Sequence, residues 1–174
     1  TPLYSSAASD VYKRQEEAVI EFIKRMGNKE KLGKILSEGV KNAAEVIGKG
    51  SDRYALHVKG LELPGYDPRG AWGMALIYGT ACRGACHNRG FTITAEINTN
   101  TRFSSTGKGS LVKEVQDERA ICDSLQVCIL TRAAIPLDVQ RELYSLVTGN
   151  EIGMQQFKQI GERICNLERL LNIR

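Results

Sequence analysis

The residues best suited to chemistry lie in residues 82–90, which read Cys-Arg-Gly-Ala-Cys-His-Asn-Arg-Gly. Arg83 and Arg89 carry guanidinium groups, which bind phosphate or carboxylate through a fixed fork of donors. His87 can transfer a proton near neutral pH, and Gly84 lets the backbone approach a large ligand. The segment therefore indicates an anion-binding surface beside a proton-transfer group. The alternative is a positively charged turn that caps a helix, and these residues alone favour that alternative.

The two cysteines of this segment do not form a recognised metal motif. Cys82 and Cys86 are separated by three residues, one more than the usual haem-attachment pattern allows. A zinc site would need further ligands at suitable spacing, and the sequence shows none. We therefore assign neither cysteine to a metal and interpret Cys86 as a packed small residue.

The composition is that of an ordinary globular protein, with 42% hydrophobic and 25% charged residues. The net charge of +4 is spread without a basic run, which gives no support for nucleic-acid binding. No apolar run is long enough to cross a membrane, so no membrane partner is predicted. The five cysteines at irregular spacing do not indicate a disulfide framework, and a cytoplasmic location is the expectation.

Apolar residues at helical spacing predict a mainly α, multihelical fold. Residues 54–64 alternate apolar and polar side chains, which predicts one short extended segment, and residues 91–109 are polar and predict a loop. The predicted helices cover residues 16–26, 32–47, 71–82, 111–128 and 136–148, and a last one carries the apolar positions between 157 and 171.

Residues 1–15 look foreign to the rest of the chain. Residues 5–15 resemble the in-frame translation of a common sequencing adapter, so we exclude residues 1–15 from the fold as an artefact. The expectation is that the natural protein begins upstream and that this chain is a truncated piece of it.

Two blocks carry a family resemblance. Residues 58–70, Val-Lys-Gly-Leu-Glu-Leu-Pro-Gly-Tyr-Asp-Pro-Arg-Gly, and residues 83–90 resemble, in order and spacing, the aldehyde:ferredoxin oxidoreductase family. These enzymes hold tungsten through the dithiolene sulfurs of two pterins. The resemblance implies the multihelical C-terminal domains of that family, truncated, with residues 16–95 ending the second domain and residues 96–174 forming the third.

The resemblance implies roles for three residues of the first segment. Arg83 and Arg89 are expected to contact the pterin cofactor, and guanidinium forks suit its phosphates. His87 resembles the histidine near the metal that is proposed to assist proton transfer. An imidazole can take up the proton released when an aldehyde becomes an acid.

A third block, residues 123–128, reads Asp-Ser-Leu-Gln-Val-Cys and resembles the family motif Asp-x-x-Gly-Leu-Cys. The resemblance implies that Asp123 contacts pterin, that Cys128 ligates a [4Fe–4S] cluster, and that Ile129 touches pterin through its backbone. Gln126 departs from the motif because it stands where a glycine is expected. The alternative for Cys128 is a buried free thiol.

The implied activity is oxidation of a small aldehyde to a carboxylic acid, with electrons passing through the cluster to ferredoxin. The sequence leaves open whether the protein forms a homo-oligomer. A cubane cluster takes four thiolates, and the family's Cys-x-x-Cys-x-x-x-Cys run is missing here, so the chain alone is predicted to be inactive. Two alternatives remain: a cofactor-free helical interaction module whose arginines bind an acidic partner, and a family member acting in the reduction of aromatic acyl-CoA thioesters.

Overall fold

The structure is a computed structural model that describes residues 2–132 and 134–173, with side chains from residue 15 onward. The described part is mainly α-helical, which confirms the predicted fold class. The chain divides into two compact units, Thr1–Glu62 and Leu63–Arg174. The division at residue 95 that follows from the resemblance stays a prediction.

The first unit contains three α-helices, a 3-10 helix and a hairpin. They are α1 (Pro2–Gly27), α2 (Leu32–Leu36), α3 (Gly39–Ile47), the 3-10 helix Ser51–Tyr54, β1 (His57–Val58) and β2 (Leu61–Glu62). The prediction of one helix over residues 32–47 is wrong. Gly39 has a φ of 87°, a left-handed conformation that glycine adopts without a steric cost and that interrupts the helix. The Glu62 carboxylate then accepts a hydrogen bond of 2.6 Å from the Val40 amide in the first turn of α3.

The predicted single extended segment is instead a short hairpin. β1 and β2 are antiparallel, with His57 opposite Glu62 and Val58 opposite Leu61. The two connecting residues, Lys59 and Gly60, have φ values of 54° and 85°. Positive φ at both positions is typical of the type I′ turn, whose twist matches that of paired strands.

The second unit contains five α-helices within the described residues. They are α4 (Trp72–Thr80), α5 (Ile93–Asn98), α6 (Lys108–Ser124), α7 (Leu137–Thr148) and α8 (Met154–Asn172), with 3-10 helices at His87–Arg89 and Ile129–Thr131. α6 packs against both α4 and α8. A Cβ on Gly161 of α8 would lie only 2.2 Å from the Asp117 carbonyl oxygen of α6, so a glycine permits this close helix contact. No described helix is both long and apolar enough to cross a bilayer.

Two predictions about this unit are wrong. α5 forms within residues 91–109, which were predicted to be a loop. The helix predicted to run to residue 128 ends at Ser124, so Cys128 lies beyond it. The predicted helices beginning near residues 71 and 136 are confirmed as α4 and α7.

A buried ion pair joins the starts of the helices that lead to the candidate site. Glu96 of α5 is 0% exposed and forms a salt bridge with Lys108, the first residue of α6. Its carboxylate also accepts hydrogen bonds from the Gly73 amide (2.9 Å) at the start of α4 and from the Thr92 hydroxyl (2.7 Å). Burial opposes ionisation, but the hydrogen bonds from Lys108, Gly73 and Thr92 lower the pKa of Glu96 below its ordinary value.

Candidate functional site

Five of the six predicted site residues line one open groove of about 960 Å³ in the second unit. The groove lies between the loop that follows α4 and the segment that follows α6. The structure therefore brings together two sequence blocks that are far apart in the chain. The residues that line it are Arg83, Asn88, Arg89, Asp123, Gln126, Val127, Cys128 and Ile129.

An ion pair connects the two walls of the groove. Arg89 Nη1 donates a hydrogen bond of 2.8 Å to Asp123 Oδ2 at the end of α6. The same nitrogen lies 3.6 Å from Glu168 Oε1 of α8. Arg89 thus links the loop to two helices. Asp123 is exposed, so its carboxylate remains accessible from the groove while it holds this arginine in place.

The Arg83 side chain is hydrogen-bonded to the sulfur atom of Cys86. Its Nε and Nη2 donate hydrogen bonds of 3.1 and 2.8 Å to Cys86 Sγ. Cys86 is only 6% exposed, which agrees with its interpretation as a packed residue but shows a second role that sequence reasoning missed. The one available signal was the spacing of three residues between an arginine and a thiol in a tight, glycine-containing turn.

The surroundings of Cys86 favour its thiolate. Burial raises the pKa of this thiol, but hydrogen bonds from the Arg83 guanidinium and from the amides of Asn88 and Arg89 outweigh burial and lower it below the ordinary value of 9.0. A thiolate beside Arg83 makes two charge-assisted hydrogen bonds, which are stronger than bonds between neutral groups. Cys86 therefore orients the Arg83 guanidinium at the mouth of the groove.

This arrangement predicts a pH dependence of stability. Because the folded pKa of Cys86 is depressed, its contribution is fully present above the unfolded pKa near 9.0 and is lost as pH falls through the folded pKa. The free energy of unfolding should therefore rise toward pH 9 more steeply in the wild-type chain than in Cys86→Ser. Urea unfolding at a series of pH values measures this difference. Parallel pH profiles for the two proteins would show that Cys86 is not a depressed thiol.

His87 lies apart from the residues that line the groove. It begins the short 3-10 helix that ends at Arg89, and its ring centroid lies 5.4 Å from that of Tyr66. Tyr66 in turn packs edge-on against Phe91 at 5.3 Å. The imidazole is therefore half-buried on an aromatic cluster, next in sequence to groove residue Asn88.

Cys128 is exposed in this chain and lines the groove. Its carbonyl oxygen accepts hydrogen bonds from the Thr131 amide (2.9 Å) and hydroxyl (2.6 Å), which fix the backbone beside the thiol. Among the residues with described side chains, no three His, Cys, Asp or Glu residues are grouped to hold a metal ion. The groove thus fits a single thiolate attachment, and the three other ligands of a cubane cluster would have to come from elsewhere.

The turn that aims Cys128 is a Schellman motif at the end of α6. The Val127 amide donates to the Cys122 carbonyl (2.9 Å), and the Gln126 amide donates to the Asp123 carbonyl (3.2 Å). Gln126 has a φ of 58°, in the left-handed region that favours glycine. The turn expected from the Asp-x-x-Gly-Leu-Cys motif therefore forms with glutamine in the glycine position. The Cβ of Gln126 makes this left-handed conformation sterically unfavourable.

Replacing Gln126 by glycine should therefore stabilise the chain by about 0.5–1 kcal/mol. The left-handed conformation costs roughly 1–2 kcal/mol with a Cβ, and the greater freedom of glycine in the unfolded chain offsets part of the gain. The midpoint of urea unfolding measures the change. Gln126→Ala is the matched control, since it keeps the Cβ and should gain nothing. If the glycine variant is no more stable than the alanine variant, the left-handed conformation of Gln126 is not strained.

Comparison with known proteins identifies the family of the chain. Residues 7–174 match the family model described as aldehyde ferredoxin oxidoreductase, domains 2 & 3. The chain is 33% identical over 163 residues to a tungsten-containing aldehyde ferredoxin oxidoreductase of Thermococcus kodakarensis, covering 91% of the chain and 27% of that protein. A protein of the same description from Pyrococcus furiosus is 34% identical, with the same coverage.

A more distant relative carries a different description. The aliphatic sulfonate oxidoreductase, WOR-like subunit, of Pyrococcus furiosus is 27% identical over 163 residues, covering 90% of the chain and 24% of that protein. The chain spans about a quarter of the length of the curated relatives it matches. The match along nearly the whole chain shows that it belongs to the aldehyde ferredoxin oxidoreductase family.

Proposed function

We propose that this chain is part of a tungstopterin- and [4Fe–4S]-dependent oxidoreductase that converts a small aldehyde to a carboxylic acid and passes the electrons to ferredoxin. The observation that carries the proposal is the groove, because it gathers Arg83, Arg89, Asp123, Cys128 and Ile129 from two separate motifs. The relatives described as tungsten-containing aldehyde ferredoxin oxidoreductases support the same activity.

The groove residues divide the tasks of holding the two cofactors. Arg83 is exposed, and Cys86 orients its guanidinium, so it is positioned to bind an anionic group such as a cofactor phosphate. Asp123 is exposed beside it and offers carboxylate oxygens to the polar N–H groups of a pterin. Arg89 keeps Asp123 in place through their ion pair.

Cys128 would tie the cluster to the same groove through its thiolate. Its exposure and the fixed backbone that follows it suit a ligand that must reach outward. The metal and the pterin supply the redox chemistry when bound, while the protein supplies position and charge. His87 would receive or relay the proton released during oxidation, and its ring packs against Tyr66.

The 174-residue chain alone should show no aldehyde-dependent reduction of a viologen dye. The groove offers one cysteine ligand where a cubane cluster takes four thiolates, so electrons would have no cluster to leave through. Activity in the purified chain without any other polypeptide would contradict this account of the site.

The proposed function is tested in the protein at its natural length, purified without oxygen after growth with tungstate. The wild type should reduce both dye and ferredoxin when an aldehyde is added. Arg83→Gln should lower tungsten content and turnover by about 10-fold or more, the usual loss when a supporting contact to a metal centre is removed. Arg163→Gln, which changes an exposed arginine of α8 outside the groove, is the matched control. A wild-type protein that lacks tungsten, or an Arg83→Gln variant with full activity, would contradict the proposal.

A further inference from the structure

Arg119 of α6 is a buried cation that lacks described acceptors for part of its guanidinium group. It is only 8% exposed, and its Nε and Nη1 atoms have no hydrogen-bond acceptor among the described residues. Leaving a buried charge unpaired costs several kcal/mol, so such groups normally contact a counter-ion. Burial and the nearby charge of Arg132 lower the pKa of Arg119, while the carboxylates of Asp123 and Glu118 act in the opposite direction.

Arg119 lines a small, partly open cavity together with two other arginines. Arg89 contributes to it, and its buried Nε also has no acceptor among the described residues. Arg169 lies on the same wall and donates from Nη2 to the Gln116 side chain (2.9 Å). Glu168 is the one carboxylate among the described lining residues, and it lies 3.6 Å from Arg89 Nη1. Two of these guanidinium groups thus have N–H groups without a described acceptor at the same cavity.

The remaining wall of the cavity does not supply negative charge. Cys165 is buried and donates its thiol hydrogen to the Gln116 carbonyl oxygen at 3.4 Å. Burial raises the pKa of Cys165 to about 12, so it stays a neutral thiol. The other described lining residues are the uncharged Thr80, Ala81, Cys82, Gln116 and Ala120. The lining thus offers no described acceptor to Arg119 Nε, Arg119 Nη1 or Arg89 Nε.

We propose that this cavity binds one small anion of halide size, which in a cell would be chloride. The volume of about 20 Å³ matches roughly one water-sized particle, which is smaller than phosphate, sulfate or a pterin. A single water molecule has two lone pairs and cannot accept hydrogen bonds from all three unpaired N–H groups, whereas a halide can. The anion would accept hydrogen bonds from Arg119 Nε and Nη1 and from Arg89 Nε. It would therefore hold Arg89 from the interior, while Asp123 holds the same side chain at the groove.

The test measures thermal unfolding of the full chain at constant sodium concentration and ionic strength, with chloride, bromide, formate or gluconate as the anion. Chloride and bromide should raise Tm saturably, by about 3–6 °C at tenfold excess over Kd, whereas gluconate is too large to enter. Arg119→Met should lose this saturable rise, and it should still fold because it removes an unpaired buried charge. Arg163→Met, which removes an exposed charge of the same helix as Arg169, should keep the rise.

A second measurement does not depend on the variant. The 35Cl NMR line of chloride should broaden in the presence of the wild-type chain and should sharpen when bromide is added in competition. A Tm that is equal in chloride and gluconate, together with an unbroadened chloride line, would overturn the proposal and leave a water-filled cavity. A rise with formate and not with the halides would also overturn it, in favour of a carboxylate from another polypeptide segment. None of these readouts involves tungsten, iron or aldehyde, so they are independent of the proposed function.

Discussion

Replacing Glu96 by alanine is expected to destabilise the second unit by about 3–5 kcal/mol. The substitution leaves Lys108, itself 6% exposed, as a buried ammonium group without its counter-ion. It also removes the acceptor of the Gly73 amide and the Thr92 hydroxyl. Because a domain of this kind is typically stable by about 5–15 kcal/mol, the variant should unfold at a much lower urea concentration or fail to accumulate.

Two further variants distinguish the effect of leaving a buried charge unpaired from the effect of removing a carboxylate. Glu114→Ala removes an exposed carboxylate of α6 that lies 4.0 Å from Lys158, and exposed pairs contribute at most about 1 kcal/mol. Glu96→Ala combined with Lys108→Met should recover much of the lost stability, because it removes the unpaired charge as well. Equal effects of Glu96→Ala and Glu114→Ala would contradict the role of the buried pair.

The stabilisation by the buried Glu96 carboxylate also depends on pH and is lost in acid. The folded pKa of Glu96 is depressed, so its contribution is present above the ordinary value of 4.5 and is lost as pH falls through the folded pKa. The difference in unfolding free energy between wild type and the double variant should therefore shrink below pH 4.5.

Replacing Cys128 by serine should abolish the cluster in the natural-length protein and lower aldehyde-dependent turnover by about 100-fold or more. A serine hydroxyl is not the soft thiolate that iron–sulfur clusters require, and loss of the cluster removes the route for electrons to ferredoxin. Turnover with dye and with ferredoxin, together with iron content, measures the effect. The loss of iron should match the loss of turnover.

Cys122→Ser is the matched control for this prediction. Cys122 lies six residues earlier, outside the groove lining, and its buried thiol donates to Gln140 at 3.4 Å, a bond that serine can replace. It should keep its iron and its turnover. Full iron content in Cys128→Ser, or equal losses in the two variants, would exclude Cys128 as a ligand.

Most helices could be predicted from sequence because their apolar faces repeat at helical spacing, as in α7 and α8. The short helix α5 could not be predicted. Its residues, Ile-Thr-Ala-Glu-Ile-Asn, have weak helical preference, and Glu96 within it bonds to Gly73 and Lys108 from other helices. The break between α2 and α3 at Gly39 could not be predicted either. It depends on a left-handed residue within a regular apolar pattern.

Some residues of the candidate site could likewise be predicted from the sequence, and others could not. Arg83, Arg89, Asp123 and Cys128 were identified because they lie in short local motifs, and the structure brings them to one groove. The contact of Cys86 with Arg83 and the position of Arg119 could not be predicted from the sequence. Cys86 matters through its contact with Arg83, and Arg119 through a cavity formed by the loop after α4 together with α6 and α8.

We propose that the chain contacts both cofactors in this groove. The most direct measurement is a crystal structure of the natural-length protein, with anomalous scattering recorded at the iron and tungsten absorption edges. The account predicts an iron peak within bonding distance of Cys128 Sγ and a tungsten-bearing cofactor in contact with Arg83. Iron and tungsten peaks that both lie away from the groove, with Cys128 as a free thiol, would contradict it.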